Sequence, residues 1–383
     1  MKLFHLSDLH IGKRVNEVSM LEDQKHILCQ MVELVKEHRP DALLIAGDVY
    51  DKTVPSAEAV ELLDDFLVQL AKLNLPVFIV SGNHDSPERL SFASRLIDQS
   101  GIHISRVYDG SLSVFTLQDE FGPVNICLMP FVKPAVVRHV HPEANIGTYS
   151  DALRVALGTI QIDTSARNVL VAHQFVTGDG GGETVLRSDS EDLSIGGLDN
   201  VDASLFADFD YVALGHIHAP QNIKGYPHVR YCGSPLKYSF SEINQQKSLT
   251  QVVLNEKGNL NVTTIPLQPL HDMREIRGTY EELTAQQCYQ GTPTDDYLRV
   301  ILTDETEVLE ARNRLRVVYP NIMNLEYDNA RTRANQQPIT AAALQSDPLE
   351  LFSSFFEQSN GKEMTIEQSQ IVTEMIQTIW ENK

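Results

Sequence analysis

Five short segments place a metal-ligand side chain directly after an apolar run. They are Ser7-Asp8-Leu9-His10, Gly47-Asp48-Val49-Tyr50-Asp51, Gly82-Asn83-His84-Asp85, Ala172-His173 and Gly215-His216-Ile217-His218. Their donors are carboxylates, imidazoles and one amide, with no thiolate, a set that suits a pair of cations bound through oxygen and nitrogen. In Asp8-Leu9-His10 and His216-Ile217-His218, alternate residues of an extended chain point the same way, so each pair can offer two ligands to one pocket. Asp48 can bridge two cations because a carboxylate has two oxygens, whereas an imidazole presents one nitrogen at a time. The glycines before Asp48, Asn83 and His216 are expected to permit tight turns at strand ends. Each segment alone is weak, since a lone histidine is more often a hydrogen-bonded structural residue than a ligand. It is the recurrence of all five after strand-like runs that carries weight.

The elements that must position these donors read as an alternation of strands and helices. Lys2–Ser7, Asp41–Ala46 and Val77–Val80 are expected strands. Met20–Glu37 is an expected helix with Ile27, Leu28, Met31, Val32 and Val35 on one face. Ser56–Lys72, with Val60, Leu63, Leu67 and Leu70 three or four apart, is a second, and Glu88–Asp98 a third, shorter one. Later strands are expected at Val124–Met129, Asn168–Ala172, Tyr211–Leu214, Val229–Cys232 and Leu249–Leu254. This order implies an α/β sheet with parallel segments, and in such sheets ligands gather outside the carboxyl ends of the strands. The loops carrying the five segments should therefore converge.

Beyond Pro266–Pro269 the pattern changes. Asp296–Leu302, Glu307–Val318 and Ile322–Tyr327 read as a compact β–α–β unit, followed by a polar linker and a tail with Leu349, Leu351, Phe352, Phe355 and Phe356 on one stripe. Thr365 and Gln368 form a capping-box pattern opening a helix over Ile366–Trp380. The expected division is 1–268, 269–329, a linker at 330–346, and a helical tail at 347–383. Arg312, Arg314 and Arg316 suggest a salt-bridged helix face. Gly178–Glu183 reads as a loop that could serve as a lid or simply lie at the surface.

Bulk properties set limits. The chain has 383 residues and a formal net charge of −21. A protein that held DNA unaided would carry a basic face, so either nucleic acid is not the substrate or a partner supplies positive surface. No stretch approaches the roughly 20 apolar residues needed to span a bilayer. The N-terminus turns polar at Ser7-Asp8, too soon for a signal peptide, which makes the cytoplasm the expected compartment. Four dispersed cysteines form no CxxC pair and are expected in the core. No GxxxxGK[ST] occurs, so any ATP dependence must come from another subunit.

The five segments, in this order, resemble the motifs of the calcineurin-like metallophosphoesterase superfamily, D-x-H, G-D, G-N-H-[DE], H and G-H-x-H. Within it the chain is similar to the nuclease subunits of SbcCD-type repair complexes. That similarity rests on residues 4–12, 46–51, 55–56 and 82–86, on Phe209–His218 and Tyr231–Glu242, and, further on, on Arg277–Leu283 and Asp347–Phe352.

The resemblance implies a sandwich of two mixed β-sheets flanked by helices, a small α+β cap that contacts DNA, and a helical tail. One metal would sit among Asp8, His10, Asp48 and His218, the other among Asp48, Asn83, His173 and His216. Two manganese ions would suit these donors, magnesium being the poorer match to histidine. His84 would act on the phosphate or leaving group, with Asp85 beside it as its orienter. The implied partners are DNA, the ATPase SbcC gripped by the tail, and a second copy met through Ser56–Lys72 and Glu88–Asp98, giving a heterotetramer with SbcC. A different phosphodiesterase or phosphatase of the superfamily, or a non-catalytic scaffold bridging DNA ends, are the competing readings.

Overall fold

A computed structural model describes residues 1–178, 185–191, 200–335, 349, 352–353, 355–357 and 364–381. Two compact units emerge, the first comprising residues 1–275 with 295–299, the second 276–294 with 300–383.

The first unit is built on two six-stranded mixed sheets. One contains β1 (Lys2–Leu6), β2 (Ala42–Ala46), β3 (Val77–Val80) and β4 (Ile102–Ile104), mutually parallel in that order. The other contains β5 (Ser113–Asp119), β6 (Gly122–Met129), β7 (Arg167–His173), β8 (Tyr211–Gly215), β9 (Gln221–Ile223) and β10 (Tyr226–Tyr231). Its strand order is β9-β10-β8-β7-β6-β5, parallel from β10 to β6 and antiparallel at both edges. Strands β11 (Ser248–Leu254) and β12 (Leu260–Pro266) return antiparallel to complete the first sheet beside β1.

Because β1, β2, β7 and β8 are apolar on both faces, both sheets are covered on both sides. Between them Leu3, Leu44, Phe78, Ile126, Val169, Val171 and Ala213 form one core cluster. On the outer face of the second sheet Leu170, Val212 and Leu214 pack with Leu153 and Ala156 of the helix Tyr149–Leu157. Each fully buried Leu or Ile contributes about 1.5–3 kcal/mol. The sandwich is therefore rigid enough to hold side chains from distant loops in one place.

Helix α1 (Leu21–His38) buries Ile27, Leu28, Met31, Val32 and Val35, as its periodicity predicts. Helix α2 (Ala57–Lys72) starts from Ser56, whose hydroxyl accepts from the Ala59 amide. The expected helix over Glu88–Asp98 is instead broken into Pro87–Leu90 and Ser94–Ile97, separated by Ala93 in a left-handed conformation. The cysteines also divide. Cys127 and Cys232 are buried as expected, but Cys29 and Cys288 are exposed.

A three-stranded sheet is formed by Met273–Gly278, Tyr297–Leu302 and Ile322–Tyr327, in that order. The helix expected over Glu307–Val318 shortens to Ala311–Leu315, and Ala330–Asn335 of the expected linker is helical. The salt-bridged face of Arg312, Arg314 and Arg316 is corrected. Arg312 donates to the Met323 carbonyl and Arg314 stacks over the Tyr280 ring. The predicted capping box is present, with Thr365 and Gln368 exchanging side-chain to amide bonds of 2.9 and 3.3 Å at the start of the helix Ile366–Glu381. Phe352 and Phe355 are exposed, whereas Leu351, residues 336–346 and the loop 179–183 lie outside the described residues. No helix among the described residues is long and apolar enough to cross a membrane.

Candidate metal centre

The donors lie where β1, β2, β3, β7 and β8 end. The loops after β1 and β2 continue their parallel pairing beyond the strands. Amides of Asp8, His10 and Ile11 donate to the carbonyls of Gly47, Asp48 and Val49 at 2.9–3.0 Å. This locks Asp8, His10 and Asp48 at one level.

The geometry that points them inward is not the extended one expected from the alternating spacing. Asp8, His10, Asp48 and His216 have φ of 52°, 44°, 48° and 99°, in the left-handed region that residues with a Cβ seldom adopt. Four of the candidate ligands thus sit on strained backbone, at a cost on the order of 1–3 kcal/mol each that the surrounding sheets must offset.

The glycines serve close approach more than turning. A Cβ on Gly215 would collide with the Ala46 carbonyl, and one on Gly82 with the Asp48 carboxylate. Of these three, Gly47 has both reasons, with a φ of 84° and the His173 ring where a Cβ would stand.

Asp8, His10 and His218 each offer a donor within 4.8 Å of the others, as do Asp8, Asp48 and His173, and His10, Asp48 and His84. That span is about twice a metal–donor bond of roughly 2.0–2.2 Å. His10 Nε2 and His218 Nε2 face each other at 3.2 Å. Asp48 Oδ2 stands 3.3 Å from His173 Nε2 and 3.7 Å from His10 Nε2. Asn83 Oδ1 lies 3.0 Å from both His173 Nε2 and His216 Nδ1. The seven candidate ligands are therefore brought together, with His216 and His218 turned toward different neighbours.

Charge and protonation fit cations as well. Burial, aided by the nearby His173, presses His216 down to about 3, and burial likewise holds His10 well below the usual imidazole range. Both rings are thus neutral, the form that ligates. Burial alone would lower His173 too, but the Asp48 carboxylate overrides it and raises the ring to about 9. For Asp48, burial acts upward and is outweighed by His173, which holds it far below the usual carboxylate range. Nδ1 of His173 donates to the Ala46 carbonyl at 2.8 Å, so its second proton sits on Nε2, the atom facing Asp48 and Asn83. A cation would take the place of that proton. The residues present fit a divalent pair.

His84 lies at the margin of the cluster, with its side chain 19% exposed against 1% for His10. Its Nδ1 donates to the Asp51 carbonyl at 3.0 Å and its Nε2 stands 4.0 Å from Asp48 Oδ2. The role expected for Asp85 is corrected. Its carboxylate accepts from the amides of Gly82, Val49 and Tyr50 at 2.8–3.1 Å, tying the loop after β3 to the loop after β2, and it does not orient the His84 imidazole. Burial, reinforced by Asp48, raises its pKa to about 6. Asp85→Ala would leave two buried amides and one partly buried amide without their acceptor. It is expected to lower the unfolding free energy by about 2–3 kcal/mol in a denaturant titration. A change under about 0.5 kcal/mol would show that the clamp is dispensable.

Several supporting residues were not legible as site residues. Tyr238 packs edge-on to His10 and donates to the Leu9 carbonyl at 2.5 Å. Gln24 holds the carbonyls of Leu9 and His10 from the first turn of α1. Ser7 donates to Asp8. Tyr238 lay within a stretch singled out only by resemblance. Nothing in the local pattern marked Gln24.

Two buried mixed sheets whose parallel strands end on clustered carboxylates and imidazoles form a candidate metal centre of the metallophosphoesterase kind. A model described as calcineurin-like phosphoesterase matches residues 1–220, and one described as type 5 capsule protein repressor C-terminal domain matches residues 269–360. The chain belongs to the calcineurin-like phosphoesterase family. Among relatives, the D subunit of the SbcCD nuclease from Staphylococcus epidermidis is 35% identical over 331 residues, spanning 85% of either chain. Among solved structures, the protein TT1561 of Thermus thermophilus is 14% identical, with 69% of this chain and 98% of that one covered and a TM-score of 0.40. A dimetal phosphatase from Danio rerio is 11% identical, with 69% and 95% covered and a TM-score of 0.41.

Proposed function

We propose that this chain is a metal-dependent DNA nuclease, the nuclease component of an SbcCD-type complex, cutting phosphodiester bonds at DNA ends and hairpins during repair. The observation that carries this reading is the convergence of Asp8, His10, Asp48, Asn83, His173, His216 and His218 on one buried cluster beside the more accessible His84. The 35% identity to a nuclease subunit over most of both chains supports the choice of DNA as substrate.

Two manganese ions, with magnesium the poorer match, are the proposed occupants. When bound they would lower the pKa of a water and offset the charge of the transition state. The chain's own residues do the rest. Asp48 reaches toward both halves of the cluster. His173 is kept in register by the Ala46 carbonyl and His10 by the pairing of the first two loops. His84, anchored through Nδ1 with Nε2 4.0 Å from Asp48 Oδ2 at the margin of the cluster, would contact the phosphate or deliver a proton to the departing sugar oxygen.

The net charge of −21 is consistent with positive surface coming from SbcC, so affinity of the isolated chain for DNA should be weak and salt-dependent. In this proposal residues 1–268 carry the chemistry, 269–329 cap it and contact DNA, and the tail 347–383 grips SbcC as a helix in a groove. Two copies would pair within a cytoplasmic heterotetramer. Ile366, Ile371 and Met375 of the last helix are exposed, in keeping with a partner there.

The test is turnover of end-blocked and hairpin DNA against a small aryl phosphodiester, with and without SbcC, in manganese and in magnesium. Turnover of the small diester with none of DNA, even with SbcC, would overturn the nuclease reading. Truncation before Ser346 is expected to preserve manganese-dependent activity while abolishing SbcC binding in a pull-down. Retained binding would refute the role of the tail.

A further inference from the structure

The stretch Tyr231–Glu242 ends in an acid that the chemistry above leaves unused. Glu242 is fully buried, yet its carboxylate is surrounded by polar groups. Oε1 accepts from Ser190 Oγ at 2.6 Å and from Ser188 Oγ at 2.9 Å, and Oε2 pairs with Lys247 Nζ at 2.6 Å. Lys247 Nζ also donates to the His218 carbonyl at 2.9 Å, and Glu191 accepts from the His218 amide at 2.8 Å. His218 is thus held at its backbone from both sides. Ser190 Oγ lies 2.7 Å from His218 Nδ1.

The Ser190 hydroxyl has one proton and three neighbours, Glu242 Oε1, Ser188 Oγ at 2.5 Å and His218 Nδ1. Giving that proton to either oxygen leaves Ser190 Oγ to accept from Nδ1, an arrangement favoured by the Glu242 carboxylate, whose Oε1 is itself 3.5 Å from Nδ1. With the proton on Nδ1, Nε2 is the nitrogen left to ligate, and it is the atom that faces His10 Nε2 in the cluster. A ligating imidazole is commonly oriented this way, through the hydrogen bond its other nitrogen makes.

We propose that Glu242 and Ser190 are positioning residues, a relay that fixes the tautomer and orientation of His218 so that Nε2 is presented to one of two cations. The relay rests on the metal-centre reading above, and on residues 188–191 lying against the cluster although they are more than 25 positions from His218 in sequence.

The experiment is calorimetric titration of manganese into the metal-stripped full-length protein, compared for wild type, Ser190→Ala, Ser190→Thr and Ser188→Ala, with thermal unfolding recorded for each. Ser190→Ala is expected to weaken one of two binding events about 10- to 100-fold while leaving the other within about twofold. Ser190→Thr, which keeps the hydroxyl, should restore the affected event. Ser188→Ala removes a hydroxyl that touches Glu242 and Ser190 but not His218, and should leave both in place.

Unchanged binding in Ser190→Ala, equal weakening of both events, a threonine that fails to restore, or a Ser188→Ala loss matching that of Ser190→Ala would each overturn the relay. Fewer than two events in wild type would overturn the metal reading itself, and the relay with it.

Discussion

His84→Ala is expected to lower kcat on DNA by about 10²–10⁴-fold while the protein still binds two manganese ions, the size of effect a positioned general acid supplies. The backbone amide of His84 donates to Asp48 Oδ1 at 2.9 Å, and that bond survives loss of the imidazole. Asp48 should therefore keep its place. The side chain's own anchor, the Asp51 carbonyl, is a loop acceptor that water can satisfy once the ring is gone. A ligand role predicts something different, because His84 Nε2 shares the neighbourhood of Asp48 with His10. Metal content and kcat measured on the same preparation separate the two. Loss of bound manganese in proportion to the loss of turnover would make His84 a ligand and remove it from the acid role.

Asp48→Ala has the larger expected consequence, loss of both bound metals and of turnover by roughly 10³-fold or more, since metal-derived charge stabilisation is worth several kcal/mol. Its Oδ2 stands within 4.0 Å of three imidazoles, His10, His84 and His173, which span both halves of the cluster. The metal-free fold should tolerate the change better than the bound metals do. Removing the anion also removes what keeps His173 protonated, so the ring can release its proton and no isolated buried cation is left behind. Manganese titration with circular dichroism checks this. Two bound ions in the variant would show that Asp48 is not the shared ligand, and a collapsed fold would show that its role is chiefly structural.

Much of the scaffold was legible because burial writes itself into periodicity. Val77–Val80 is a strand at the expected bounds, and α1 buries the five apolar residues picked out by their spacing. The Thr365–Gln368 pair announced its helix by capping chemistry. Edge elements were missed. Ser113–Asp119 and Leu260–Pro266 are half-exposed and paired only through their neighbours, so no continuous apolar run marks them. The helix over Glu88–Asp98 failed for the opposite reason, since apolar spacing cannot reveal that Ala93 turns left-handed and breaks it.

The sequence by itself determined which side chains are available for chemistry, because each candidate donor stands at the end of an apolar run that could only be a buried strand. Tertiary structure decided how they are aimed. The left-handed backbone at Asp8, His10, Asp48 and His216 is imposed by loops pairing across the sheet edge and by glycines that let Ala46, Asp48 and His173 approach. The clamp made by Asp85 and the bonds from Glu242 through Ser190 to His218 likewise exist only once segments far apart in the chain are packed together. Local spacing encodes which face of an element is buried, whereas strain and long-range hydrogen bonds are properties of the assembled sheets.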